Sequence, residues 1–302
     1  MKVAFIFPAF VSEYIGNEVQ ILNALSNKFQ ENLKKASVAS GVDFESFHLE
    51  DSAFKEDELR VQIISYIFSC SLSDELIAKG IKPDILAGYS MGLYAALYTG
   101  SVIEFDEGIR LIIQAFNISQ SAIQGMDSGM GSIIGLTKEE INGIILKHKL
   151  EAEIANTSSA HSHLVTGRSE PLNRLLELAR TTGALHVSML NVNTPYHASM
   201  LKSTSGPFNE FITAHIRLRK SKYPIISSID QRLMESPEDF QKELTENLSG
   251  SINWMASFEI MLQLGVKQFI ECGAGNSLKK ISRFQSGDFK VYPMNKVEKL
   301  LK

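Results

Sequence analysis

The sequence predicts an α/β protein whose main domain carries an inserted ferredoxin-like unit. Three observations carry that expectation. Apolar runs of strand length alternate with amphipathic stretches of helical period in the first third of the chain. Between 129 and 196 the order becomes β-α-β-β-α-β, the order of a ferredoxin-like unit. Strand-like runs of the first kind then resume at 223–229 and 267–272. The expected division is therefore 1–128 with 197–302 as the main domain and 129–196 as the insertion.

In chain order, 3–7 reads as a buried strand, followed by a loop and amphipathic helical stretches over 19–34 and 56–79. The apolar run 84–87 reads as a strand leading straight into Gly88, Tyr89, Ser90, Met91 and Gly92, after which 93–98 resumes helical character. In the insertion, 130–136 is strand-like, and Thr137 with Glu140 forms a capping box for a helix reaching His148. Two strand-like stretches, 153–157 and 163–166, flank the polar turn 158–162. A helix starting near Glu170 and Pro171 ends at Gly183, and 184–190 is the last strand of the unit.

Composition narrows the class. The chain has 302 residues, 44% hydrophobic and 21% charged, enough to bury a substantial core without staples. No apolar run approaches the ~20 residues of a membrane span, and the N-terminal run lacks a small-residue cleavage site. No membrane association or export is expected. Cys70 and Cys272 stand far apart in apolar surroundings, which fits reduced core thiols rather than a disulfide framework or a metal site. A cytoplasmic, monomeric protein with no metal and no bound cofactor is the expectation. The net charge of −4 gives no overall field for nucleic acid, although local basic clusters can serve an acidic partner.

The strongest local signal is Gly88, Ser90 and Gly92, a G-x-S-x-G between a predicted strand and a predicted helix. A sharp turn there needs glycines and pushes the serine hydroxyl out at the helix N-terminus. The Met91 backbone N–H and the helix dipole can then stabilise an oxyanion. The competing reading is a glycine-flanked turn whose serine only caps the helix. A serine nucleophile needs a base, and His197 stands where the chain re-enters the main domain, a position suited to a cleft between domains. The other six histidines read as solvated or satisfied, and by itself His197 could be the same.

These segments resemble the malonyl-CoA:acyl carrier protein transacylases and the acyltransferase domains of polyketide and fatty acid synthases, over nearly the whole chain. Residues 88–97 are similar to the family's nucleophile segment, G-H-S-x-G-E-x-A-A, and 129–136 to the first strand of its small subdomain. Residues 156–167 resemble its N-x-x-x-Q-x-V-x-S-G hairpin, 194–200 the stretch with its catalytic histidine, 250–254 its N-P-V-x-W, and 271–278 its E-x-G-P-G-x-x-L. The resemblance implies an α/β-hydrolase-like main domain and a Ser90–His197 pair, the imidazole oriented by a backbone carbonyl at Asn253. It also implies oxyanion donors at the Met91 and Phe10 backbone N–H groups, and an acyl pocket touching Tyr89, Ala115 and Tyr196.

The departures from the family pattern bear on substrate. Residues 7–12 replace the usual F-P-G-Q-G-S-Q, so Phe10 keeps a backbone N–H but changes the roof of the cleft. Tyr89 stands for the usual histidine and Leu93 for the glutamate. Members that use malonyl groups carry an arginine in the helix after the nucleophile, where its fork pairs with the free carboxylate. The register through Arg110 and Gln120 puts Ala115 at that position. The implied substrates are phosphopantetheine thioesters of an uncharged acyl group, on CoA or on an acyl carrier protein. Hydrolysis of acyl carrier thioesters by the same site is the alternative reading, and a non-catalytic carrier-binding homologue a further one. An ordinary α/β-hydrolase esterase would need an acid between serine and histidine in chain order. Basic residues at 217–222 or 279–283 are expected to meet an acidic carrier protein.

Overall fold

A computed structural model describes residues 2–10 and 13–300, so Val11 and Ser12 of the altered loop lie outside the described residues. The chain runs β1 (Lys2–Phe7), α1 (Glu18–Leu25), α2 (Lys28–Ser40), α3 (Ala53–Glu56), α4 (Glu58–Ala78), β2 (Ile85–Gly88), α5 (Gly92–Thr99) and α6 (Phe105–Ala122). The second sheet follows, with β3 (Ser128–Ile134), α7 (Lys138–His148), β4 (Ala152–Ser159), β5 (Ser162–Arg168), α8 (Ser169–Thr182) and β6 (His186–Met189). The chain then returns through α9 (Ser205–His215), β7 (Ile225–Ile226), β8 (Leu233–Met234), α10 (Pro237–Asn247), α11 (Trp254–Gln263), β9 (Val266–Glu271), α12 (Ser277–Ser282) and β10 (Lys290–Tyr292).

The main sheet has the order β10-β9-β1-β2-β7-β8, parallel except for the β7–β8 pair. Alternation along β1 divides the core in two: Phe5 and Phe7 pack with α4 and α6, while Ala4 and Ile6 pack on the opposite face with Trp254 and Phe258. The smaller sheet is antiparallel with order β4-β5-β3-β6, and its two helices cover one face, with Leu172 and Leu175 against Ile133 and Val165. The architecture is an α/β-hydrolase-like core with a ferredoxin-like subdomain, as the sequence predicts.

Two local features differ from the expectation or extend it. The single helix expected over 19–34 is broken into α1 and α2, because Ser26 is fully extended and its hydroxyl accepts from Lys28 N while binding Glu75. Among the described residues, α4 is long and apolar enough to cross a membrane, but 83% of that stretch is buried as the central core helix.

The smaller sheet is stitched to the segment preceding α11. Thr157 N donates to Ile252 O at 3.2 Å, Ile252 N to Ala155 O at 3.0 Å, and Trp254 N to Asn156 Oδ1 at 3.3 Å. Ser251 Oγ adds a bond to Ile154 O at 2.9 Å.

Candidate active site

The nucleophile turn sits at the carboxyl ends of β1 and β2, where open α/β sheets form their ligand crevices. Ser90 has φ 55°, a left-handed conformation that costs a non-glycine residue about 1–2 kcal/mol. The turn is tight enough to exclude side chains on both sides of the serine. A Cβ on Gly88 would lie 2.3 Å from Leu93 N, and one on Gly92 would lie 2.2 Å from Phe7 O. Both glycines of the motif are thus required by contact, which rules for the nucleophile elbow over a simple cap.

His197 approaches from the other side. Its φ is 61°, its N–H donates to Leu248 O at 2.8 Å, and its Nε2 lies 2.7 Å from Ser90 Oγ. Nδ1 lies 2.7 Å from Asn247 O, so Nδ1 carries the proton and Nε2 is free to accept the serine hydroxyl. The imidazole is 3% exposed, and burial lowers its pKa to about 4 against the opposing pull of the Asn247 and Gly250 carbonyls. A neutral imidazole at neutral pH is the form a general base requires.

The orienting carbonyl therefore belongs to Asn247, not to Asn253. Asn247 closes α10, where the last carbonyls of a helix have no partner within it and one is free for Nδ1–H. Asn253 is instead consumed in starting α11. Its side chain accepts from Ala256 N at 3.1 Å, its carbonyl from Ser257 N at 3.1 Å, and its own N–H donates to Ser228 O at 2.9 Å. Behind Asn247, its Nδ2 donates to Ser228 Oγ at 3.3 Å, and buried Glu243 accepts from Ser227 Oγ and from Ser228 N and Oγ. The run of polar residues 227–228 was the only sequence signal for this support, and it reads as an ordinary turn.

Ser90, Met91, Phe10 and His197 share one small cleft of about 20 Å³, walled by Ala115, Tyr196, Gln62 and Tyr94. Among the described residues, the N–H groups of Met91 and Phe10 donate to no protein acceptor, which leaves both available to an oxyanion. Among the described residues, no charged side chain lines the cleft. Gln114 faces a separate groove with Asn117 and Ser121.

Tyr89 does not belong to the acyl pocket. It points to the opposite side of the turn from Ser90, packs edge-on against Trp254 at 5.3 Å and accepts from Asn156 Nδ2 at 2.8 Å. Strand alternation explains this, since neighbours in an extended segment face opposite sides of the sheet. Gln62, one helical turn inside α4, is the wall residue that the sequence did not reveal; it lies in a run of apolar residues and reads as a core position.

Both cysteine thiols are buried, and burial pushes each well up from its usual value. Of the basic residues, Arg219 pairs with Glu104 and Glu107, and Lys280 with Glu13.

Known proteins share this fold and are similar in sequence over nearly the whole chain. A malonyl CoA-acyl carrier protein transacylase from Synechocystis is 24% identical over 300 residues, covering 99% of both chains. The structure of the corresponding transacylase from Coxiella burnetii superposes with a TM-score of 0.92 at 25% identity, over 100% of this chain and 96% of the other. A malonyl-transacylase solved in complex with a type II polyketide synthase acyl-carrier protein has the same fold, with a TM-score of 0.92 at 22% identity over 100% of this chain and 98% of that one. The model of the acyl transferase domain matches residues 58–274, which span the nucleophile turn, the small sheet and the histidine, and the chain belongs to that acyltransferase family.

Proposed function

We propose that this acyltransferase carries an uncharged acyl group on Ser90, taking it from a phosphopantetheine thioester and exchanging it with an acyl carrier protein. The observation that carries the reading is the 2.7 Å Ser90–His197 contact in a cleft without charged walls. Ser90 Oγ attacks the thioester carbonyl carbon as its proton passes to His197 Nε2. The oxyanion is held by the Met91 N–H at the start of α5 and the Phe10 N–H in the loop after β1. Collapse breaks the C–S bond, and His197 returns its proton to the leaving thiolate. An imidazole pushed down to about 4 holds that proton weakly and gives it up readily. The acceptor then repeats the sequence in reverse.

The relatives are named for malonyl transfer, and the departure here is Ala115, 4% exposed on the cleft wall. A carboxylate drawn into such a site loses hydration worth several kcal/mol and stays only where a cation or several donors replace the water. The carrier protein as partner is supported by the relatives' names and by the transacylase solved with its carrier. Water as the acceptor is a second reading, because His197 Nε2, which takes the proton of Ser90, can equally take one from water.

Intact-protein mass spectrometry after mixing with acetyl, longer acyl and malonyl thioesters tests both readings. Faster acylation by acetyl than by malonyl supports the uncharged substrate, and the reverse overturns it. Decay of the adduct without added thiol identifies the hydrolase; persistence until carrier protein is added identifies the transferase.

A further inference from the structure

Beside the cleft, a chain of hydrogen bonds converges on one carboxylate. Gln120 Nε2 donates to Thr194 Oγ1 at 2.7 Å, and Thr194 Oγ1 donates to Glu58 Oε1 at 2.9 Å. From the cleft wall, Gln62 Nε2 donates to Tyr196 Oη at 2.9 Å and reaches the same Glu58 Oε1 at 3.4 Å. Glu58 and Gln62 are one turn apart on α4, so they lie on the same face of the helix.

Two consequences follow for anything placed beside Ala115. Both N–H bonds of the Gln62 amide are committed, one to Tyr196 and one to Glu58, so this wall amide has no donor left for an anion. Among the described residues no lysine or arginine pairs with Glu58, so its charge is not cancelled locally. Thr194, Gln62 and Tyr196 are all buried and Glu58 itself is half-buried, which reduces but does not remove the screening of its charge by water.

We infer that Glu58 is a specificity determinant that bars acyl groups bearing a free carboxylate from the Ser90 cleft, acting by its charge and by holding the donors of Gln62 and Thr194. The inference rests on the uncharged-acyl reading and adds to it a second residue, on a different helix from Ala115. Tyr196 feels the same carboxylate: its hydroxyl is pushed up first by burial and next by the charge of Glu58.

The test measures single-turnover acylation by acetyl-CoA and malonyl-CoA in wild type, Glu58→Gln, Glu58→Ala and Glu58→Asp. Intact mass gives the adduct, and circular dichroism checks the fold of each variant. Glu177→Gln, on the exposed face of α8 beside Arg174, is the control. Removing the charge in the Gln and Ala variants is expected to raise the malonyl-to-acetyl ratio at least about tenfold, equivalent to about 1.4 kcal/mol. The Asp variant keeps the charge but, one methylene shorter, loosens its hold on Gln62 and Thr194, so its ratio is expected between those of wild type and Glu58→Gln, while the control is expected to keep the wild-type ratio. A wild type that prefers acetyl, together with ratios within about twofold of wild type in both charge-removing variants, overturns the role of Glu58 alone. A wild type that prefers malonyl overturns the underlying substrate reading, and this inference with it.

Discussion

Ser90 and His197 meet at 2.7 Å with both backbones in the left-handed region, at φ 55° and 61°. Each side of this contact is therefore delivered by a residue held in a conformation that only its surroundings make tolerable.

Replacing the nucleophile separates chemistry from stability. Ser90→Ala is expected to abolish the acyl adduct while leaving the fold intact. Ser90→Gly is expected to abolish it as well and to stabilise the protein by about 1 kcal/mol, because glycine accepts φ 55° without strain. Denaturant melts of the two variants, with intact masses after thioester treatment, check both outcomes. An adduct on either variant removes Ser90 from its role.

His197→Ala is expected to slow acylation and deacylation together, since one imidazole serves both half-reactions. In wild type the rate of acylation is expected to stay level down to about pH 5 and to fall as His197 protonates near 4. The stability sign follows from the same shift. A histidine depressed from its ordinary 6.5 to about 4 contributes its full stability above 6.5, and loses about 3 kcal/mol as pH falls through 4. Glu271, raised to about 7 by burial, has the opposite slope over part of that window, so the histidine's share is the difference between wild type and His197→Ala.

Asn253 supplies the side-chain cap of α11, and that role is measurable. Asn253→Ala is expected to cost about 0.5–2 kcal/mol of stability through loss of the α11 cap while acylation rates stay within about threefold of wild type. Unchanged stability would remove the cap from its assigned role, and a large rate loss would show that the Asn253 side chain serves the site.

Ala115→Arg is expected to move preference toward malonyl thioesters. A buried charge-paired contact is worth on the order of 2–5 kcal/mol, or about 30-fold to several thousand-fold in rate. Glu58 accepts from Gln62 of the same wall, and its charge is expected to compete for the new guanidinium, so the double variant Ala115→Arg with Glu58→Gln is expected to exceed the single one. Parallel malonyl and acetyl kinetics on the two variants decide this; equal preference in both would place the guanidinium out of reach of Glu58.

The two basic clusters are not equivalent for carrier docking. Arg219 is tied down by Glu104 and Glu107, and Glu107 also accepts from Arg217 N, so charge reversal there is expected to destabilise the fold. Lys279 and Arg283 have no ion pair among the described residues, and Phe284 beside them is 62% exposed. Lys279→Glu with Arg283→Glu is expected to raise the carrier-protein KM several-fold and to flatten its salt dependence. An unchanged KM at low salt would remove this face from consideration.

The sequence carried the parts of the fold and site that depend on local pattern. Alternation marked the strands, the capping box at Thr137 marked α7, and the glycines around Ser90 marked a turn that contact distances show to be obligatory. Sequence reading failed where the answer depends on which groups are left unpaired in three dimensions. Asn253 looked like the carbonyl donor because it matches a family segment, but its carbonyl is spent inside α11 and Asn247 has the free one. Tyr89 adjoins the nucleophile in sequence and faces away from it in space. Gln62 and Glu58 lie far from Ser90 along the chain, in a helix whose other residues are mostly core, so nothing local set them apart.

The bonds joining the smaller sheet to the segment before α11 also bear on motion. Gly250, whose carbonyl faces the His197 ring, lies two residues before Ile252, which exchanges backbone bonds with Ala155 and Thr157. The small subdomain is therefore not a free flap over the nucleophile: a load that tilts it is transmitted through Ile252 to the cradle of the imidazole. Amides at Thr157 and Ile252 should accordingly exchange with deuterium at matched rates, as one mechanical unit with the base they help to aim.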